Sequence, residues 1–151
     1  MKRTIPIVAM ALMSLAACQN NTNSNGEETK NSQAENNGAE CFEYVNNKDT
    51  ANLKLNFDDD KITGTLAYNL FEKDKNDGVI AGIVKGDTLI ADYTFNSEGT
   101  TSTRQVVWLK QDGKLVEGFG DIEEVDGKTM FKNVSSLTFG KSMVFTKTEC
   151  N

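Results

Sequence analysis

From residue 41 onward the apolar residues repeat every two positions, and this period decides most of what the chain can fold into. Leu53, Leu55 and Phe57 alternate with Asn52, Lys54 and Asn56. Ile62, Leu66, Tyr68 and Leu70 share parity, with Gly64 between them, and Leu89, Ala91, Tyr93 and Phe95 alternate with Thr88, Asp92 and Thr94. A period of two belongs to a strand with one face on a core and the other in water. Asp77-Gly78, Asp112-Gly113 and Asp126-Gly127 stand between such runs as hairpin signals, and Gly86-Asp87 and Glu98-Gly99 fill two more connections. Strands are expected at 42–46, 51–57, 60–71, 78–85, 88–97, 101–111, 114–124, 128–133 and 142–149. No convincing amphipathic helix interrupts them. The fold class is therefore all-β, an antiparallel meander of eight or nine strands. Segment 134–141 is ambiguous: Leu137 and Phe139 either extend a strand or plug one end.

The first eighteen residues have a different character. Met1-Lys2-Arg3 is basic, Ile5 to Ala17 is uncharged, and small residues precede Cys18. The apolar run is shorter than the roughly 20 residues a lasting transmembrane helix needs, and the arrangement is that of a secretory signal. Leu15-Ala16-Ala17-Cys18 resembles the lipobox of bacterial lipoproteins. The resemblance implies cleavage before Cys18, a diacylglyceryl group on its sulfur, and acylation of the new amine. Several acyl chains hold a protein firmly where one does not.

Residues 19–40 contain no Leu, Ile, Val, Met or aromatic side chain. With nothing to bury, they read as a disordered polar tether. As a flexible coil they would reach roughly 25 Å, and about 75 Å fully stretched. The organisation expected is a signal peptide over 1–17, a lipidated cysteine and tether over 18–40, and a barrel domain over 41–151. Once the signal is removed, 14 basic residues face 22 acidic ones, a net charge of −8. That balance argues against nucleic acid and anionic headgroups as partners. The tether lacks an acidic cluster next to Cys18, and position 19 is Gln rather than Asp. Both features favour the periplasmic face of the outer membrane.

Lipidation of Cys18 leaves Cys41 and Cys150, at the two ends of the strand-rich region. In an exported chain an even pair reads as a disulfide, whereas redox pairs usually sit as Cys-x-x-Cys. A bridge across positions 109 apart requires the first and last strands to lie side by side, so the sheet is a closed or nearly closed small barrel. About 110 residues bury only some 60–70% of their unfolded surface, so a covalent clasp has work to do.

Together with lipobox and tether, the runs Cys41-Phe42-Glu43-Tyr44, Gly64-Thr65-Leu66-Ala67-Tyr68, Gly86-Asp87-Thr88-Leu89-Ile90-Ala91-Asp92-Tyr93 and Ser97-Glu98-Gly99 before Arg104 resemble a family of small bacterial envelope lipoproteins. The resemblance covers nearly the whole mature domain and supplies no activity. In shape the domain is similar to lipocalin-like barrels, but Gly-x-Trp near the first strand is missing and the single tryptophan, Trp108, lies mid-chain. A likeness of shape licenses no ligand.

Reactive groups are few. The chain has no histidine, and pairing of Cys41 with Cys150 leaves no free thiol in the domain. Asp58-Asp59-Asp60, and Asp74 with Asn76 and Asp77, offer oxygens for Ca²⁺. The second set fails the EF-hand pattern, with Val79 and Lys85 at the sixth and twelfth positions from Asp74. Both sets read as wet turns. Neither a metal nor a cofactor is expected. Arg104 is the oddity: it shares parity with Val106 and Trp108, and if those point inward its guanidinium needs a partner. Glu98, Glu117, Tyr68 and Tyr93 are candidates, as is a bound carboxylate. Tyr68, Tyr93, Phe95, Trp108 and Phe119 either fill the core or line a pocket in the barrel mouth.

The function expected is a non-catalytic, membrane-anchored binding or interaction module of the cell envelope. Its partners are the membrane, through the lipid on Cys18, and a small apolar ligand or an envelope protein. One alternative is a small-molecule carrier with a pocket near Arg104, where Tyr68, Tyr93, Trp108 and Glu117 would be binding residues. A second is a hydrolase using a carboxylate pair from Glu117, Asp121, Glu123 and Glu124.

Overall fold

A computed structural model describes residues 38–150 except Asp74, with only the backbone described at Lys141 and Ser142. The signal peptide, Cys18 and nearly all of the tether lie outside the described residues. Among the described residues there are ten strands: β1 (Glu40–Asn46), β2 (Asp49–Asp58), β3 (Lys61–Asn69), β4 (Asn76–Lys85), β5 (Thr88–Ser97), β6 (Thr100–Gln111), β7 (Lys114–Phe119), β8 (Ile122–Val125), β9 (Lys128–Phe131) and β10 (Thr138–Thr148). Eight of them close a barrel. Strands β1 to β7 form an antiparallel meander, β10 pairs with β7, and β1 pairs with β10 to shut the cylinder. The remaining two, β8 and β9, form a hairpin outside the ring, held to β6 by the parallel pairs Thr103↔Lys128 and Arg104↔Thr129.

Cys41 and Cys150 form the expected disulfide, their Cα atoms 5.2 Å apart. Closure is shared with the β1–β10 ladder, in which Cys41 stands opposite Thr148. These residues mark one end of the barrel, together with the turns after β2, β4 and β6. At the other end lie the turns after β1, β3 and β5 and the exit of β7. Alternation does what the period predicted. Phe42, Leu53, Leu55, Ile62, Leu66 and Phe145 are among the fully or nearly fully buried core side chains, and their neighbours in sequence face out.

Asp112-Gly113 and Asp126-Gly127 are turns with both residues at positive φ, the backbone a type I′ hairpin requires. Asp77-Gly78 is not a turn. It lies inside β4, opposite Asn96 and Phe95 of β5, and the chain reverses instead between the end of β3 at Asn69 and the start of β4 at Asn76. Gly78 is needed for another reason: a Cβ there would stand 2.1 Å from the Thr94 carbonyl oxygen. Gly64 and Gly82 are pressed against neighbouring backbone in the same way. These three glycines let β3 and β4 coil tightly enough to close a narrow barrel.

The strand expected over 114–124 is broken at Gly120-Asp121 into β7 and β8. Gly118 and Gly120 accept the side chains of Phe139 and Leu137, each 2.7 Å from where a Cβ would be. The chain therefore leaves the ring where those side chains cover it. Segment 134–141 resolves accordingly: Val134–Ser136 make a 3₁₀ turn capped by the Asn133 side chain, and Phe139 extends β10 opposite Gly118.

Candidate functional site

Arg104, Val106 and Trp108 do point inward. The Arg104 guanidinium carbon lies 5.1 Å from the Tyr68 ring centroid, 5.5 Å from Tyr93 and 5.6 Å from Phe95. Tyr93 and Phe95 are stacked, with ring centroids 4.7 Å apart. An arginine among three aromatic faces gains cation–π attraction, but no carboxylate pairs with it: the ion pairs among the described residues are Lys128–Asp92 and Lys147–Glu40. Of the candidate partners, Glu98 sits exposed in the turn after β5.

Glu117 is brought inside, across the β6–β7 ladder from Trp108, and is only 6% exposed. The Tyr68 hydroxyl donates to both of its carboxylate oxygens, each at 3.0 Å. Burial pushes the Glu117 carboxyl up to about 7, against the opposing pull of that hydrogen bond and of the Arg104 charge. Burial also raises the Tyr68 phenol well above its ordinary value, with the Glu117 charge acting in the same direction. Tyr93 is pushed up to about 12, again chiefly by burial. Both tyrosines are therefore neutral donors at neutral pH.

Four buried polar atoms have no hydrogen-bond partner among the described residues: Arg104 Nε, Tyr93 Oη, Trp108 Nε1 and Asn76 Oδ1. Buried polar groups are ordinarily paired, so each of these atoms is open to a water or a ligand. Three of the four are donors. Arg104 and Tyr93 are directly opposite across β5–β6, and Asn76 is opposite Tyr68 across β3–β4.

Arg104 and Glu117 are reached from the fork where β7 leaves the ring. Between the end of β7 and the β8–β9 hairpin lies a cavity of about 230 Å³, lined by Arg104, Gln105, Val106, Glu117, Gly118, Phe119, Gly120, Ile122, Thr129 and Phe131. Phe119 and Ile122 are exposed, at 45% and 58%, and Phe131 is half-buried. The cavity thus has charge at its base and apolar side chains at its mouth. It opens at the barrel end opposite the disulfide.

Of the residues singled out from sequence, the structure gathers Arg104, Tyr68, Tyr93 and Glu117 into one cluster. Phe119 is at the rim, and Trp108 lies in the core against Phe145, edge to face with ring centroids 6.4 Å apart. The carboxylates offered as a hydrolytic pair are not brought together. Glu117 is inside, while Asp121, Glu123 and Glu124 are exposed around β8. Asp58, Asp59 and Asp60 are exposed around the turn after β2, and Asp74 lies outside the described residues. No group of three acidic or cysteine side chains suited to a metal occurs among the described residues. Sequence reasoning missed Ile122 and Phe131, and named Asn76 only as an oxygen for Ca²⁺ beside Asp74 and Asp77. A signal for the first two was available: Gly118-x-Gly120 directly before the Asp126-Gly127 hairpin marks a chain leaving its strand.

The buried carboxyl makes a stability prediction. A group whose folded value lies above its unfolded value of 4.5 holds its proton longer in the folded state. Stability is therefore lost as pH rises from the unfolded value through about 7, and stays level above it. Glu117→Gln keeps an acceptor for Tyr68 and removes the ionisation. The variant is expected to match the wild type near pH 4 and to be more stable by up to about 3 kcal/mol near pH 8. Urea denaturation at both pH values checks it, and equal pH slopes for the two proteins would refute a raised Glu117.

Compared with known families, curated proteins and solved structures, the chain matches none.

Proposed function

We propose that this chain is a lipid-anchored binding module of the bacterial cell envelope, with a pocket for a small molecule at the fork between β7 and the β8–β9 hairpin. The observation that carries the reading is the buried, partnerless Arg104 Nε in the lining of a cavity with an apolar rim, with the partnerless Tyr93 Oη on the neighbouring strand. Pockets of this composition, apolar walls with a few convergent polar groups, are what ligand sites look like. Lipidation of Cys18 and residence on the periplasmic face of the outer membrane rest on the lipobox resemblance and the tether's composition. The module acts by holding its ligand, without catalysis.

The test is to purify the full chain from its native envelope, denature it and identify released small molecules by mass spectrometry. One compound in near-stoichiometric amount, lost when Arg104→Leu is purified in the same way, is the expected result. Recovery of no compound, or of the same compound from both proteins, would count against the pocket.

A further inference from the structure

The donor-rich character of the cluster narrows the ligand. Arg104 contributes a fixed positive charge and an uncommitted Nε–H, and Tyr93 an uncommitted hydroxyl that burial keeps protonated. A cationic or donor-rich ligand would leave these groups unpaired, which costs more than the contact returns. An acceptor-rich anion completes them. The cavity's volume of about 230 Å³ corresponds to about eight waters, or a ligand of about ten heavy atoms. Its rim of Phe119, Ile122 and Phe131 suits hydrocarbon.

Glu117 shares this cavity with Arg104. Ionised, it would repel an incoming anion at close range in a poorly hydrated site. Protonated, it presents an O–H that a carboxylate can accept, while its carbonyl oxygen remains an acceptor for Tyr68.

Resting on the pocket reading above, we infer that the site takes a small amphiphilic carboxylate. Its head lies on Arg104 and Tyr93 and its chain passes out over Phe119, Ile122 and Phe131, and Glu117 must carry a proton for the head to enter. The groups facing Glu117 are Tyr68 from β3 and Arg104 from β6, and Arg104 in turn acts on Tyr93 of β5, as does Asp77 of β4. Neither tyrosine loses its proton near neutrality, and Glu117, raised by burial, titrates there. Anion capture is thereby linked to uptake of one proton, and the pocket releases its ligand as pH rises.

Octanoate, octanol and octylammonium are matched in length and differ in head charge. They are titrated into the full chain carrying Cys18→Ser, which has no acyl group, with Trp108 fluorescence and calorimetry as readouts. Octanoate binds best, and its affinity falls about tenfold between about pH 6 and about pH 8. Arg104→Met lowers octanoate affinity by about tenfold to a hundredfold and octanol affinity much less, and an unchanged circular dichroism spectrum and melt show that the variant is folded. Glu117→Gln removes the pH dependence and binds octanoate at about pH 8 as the wild type does at about pH 6. If octanol or octylammonium binds as well as octanoate, or octanoate binding ignores both substitutions, the carboxylate assignment is overturned while the pocket stands. If none of the three binds, the pocket itself is overturned.

Discussion

Replacing Cys41 and Cys150 together by serine is expected to lower the stability of the domain by about 4 kcal/mol and its melting temperature by roughly 15 °C. The bridge spans 109 positions, so in the unfolded chain it closes a loop containing almost the whole domain. Loop-closure entropy grows with the logarithm of loop length, which places this bridge near the upper end of what a single disulfide contributes. The β1–β10 ladder around it is short, with register pairs only at Cys41, Phe42 and Glu43. Losing the clasp therefore frees the seam as well as the unfolded chain. Most of the effect acts on the unfolded state, so the urea m-value should rise as that state expands. Thermal and urea melts of wild type and double variant check this. A loss below about 1 kcal/mol would mean that the seam is held by its ladder alone.

The second large effect is expected at Gly64. Gly64→Ala should cost at least about 3 kcal/mol, whereas Gly113→Ala should cost about 1 kcal/mol. Both are glycines in a β domain, and their reasons for being glycine differ. Gly113 has a φ of +73° with nothing within 4 Å of an added Cβ, so alanine there meets only backbone strain. At Gly64 a Cβ would lie 1.8 Å from the Lys54 carbonyl oxygen and 3.2 Å from the Leu55 Cα. These are backbone atoms of the paired strand and cannot swing aside as a side chain can. Relieving the overlap forces β2 and β3 apart at the Gly64↔Leu55 position, where Leu55 is completely buried. Circular dichroism melts of the two variants give the comparison. Equal losses would show that close approach is not what makes β3 bend.

The contrast between these glycines also explains what was legible in the sequence. Asp112-Gly113 and Asp126-Gly127 announce turns through local chemistry, and they are turns. Asp77-Gly78 carries the same two letters but serves a close strand approach, a property of the closed barrel that no local pattern encodes. The alternation of Leu53, Leu55 and Phe57 gave the faces of β2 because parity is local. The placement of Cys41 and Cys150 gave the seam because a disulfide is a distance constraint written in two residues. In the site, parity with Val106 and Trp108 was enough to turn Arg104 inward. The fork was not foreseen. It depends on Leu137 and Phe139 filling the positions that Gly118 and Gly120 leave open, a contact between segments about twenty residues apart. Ile122 and Phe131 acquire their place at the mouth only through that contact. The inward Glu117 was one of several acids offered for different roles. What distinguishes it, the hydrogen bond from Tyr68, crosses from β7 to β3 through the barrel interior.

Arg104 Nε–H as a donor kept free inside the barrel for an arriving ligand is the claim on which the functional account stands. The most direct measurement is the nuclear magnetic resonance signal of that group in the full chain carrying Cys18→Ser, recorded before and during addition of octanoate. The account predicts a signal lacking the shift and protection of a hydrogen bond at first, then gaining both in step with occupancy. A signal already protected without ligand, and unmoved by octanoate at saturating concentration, would contradict it.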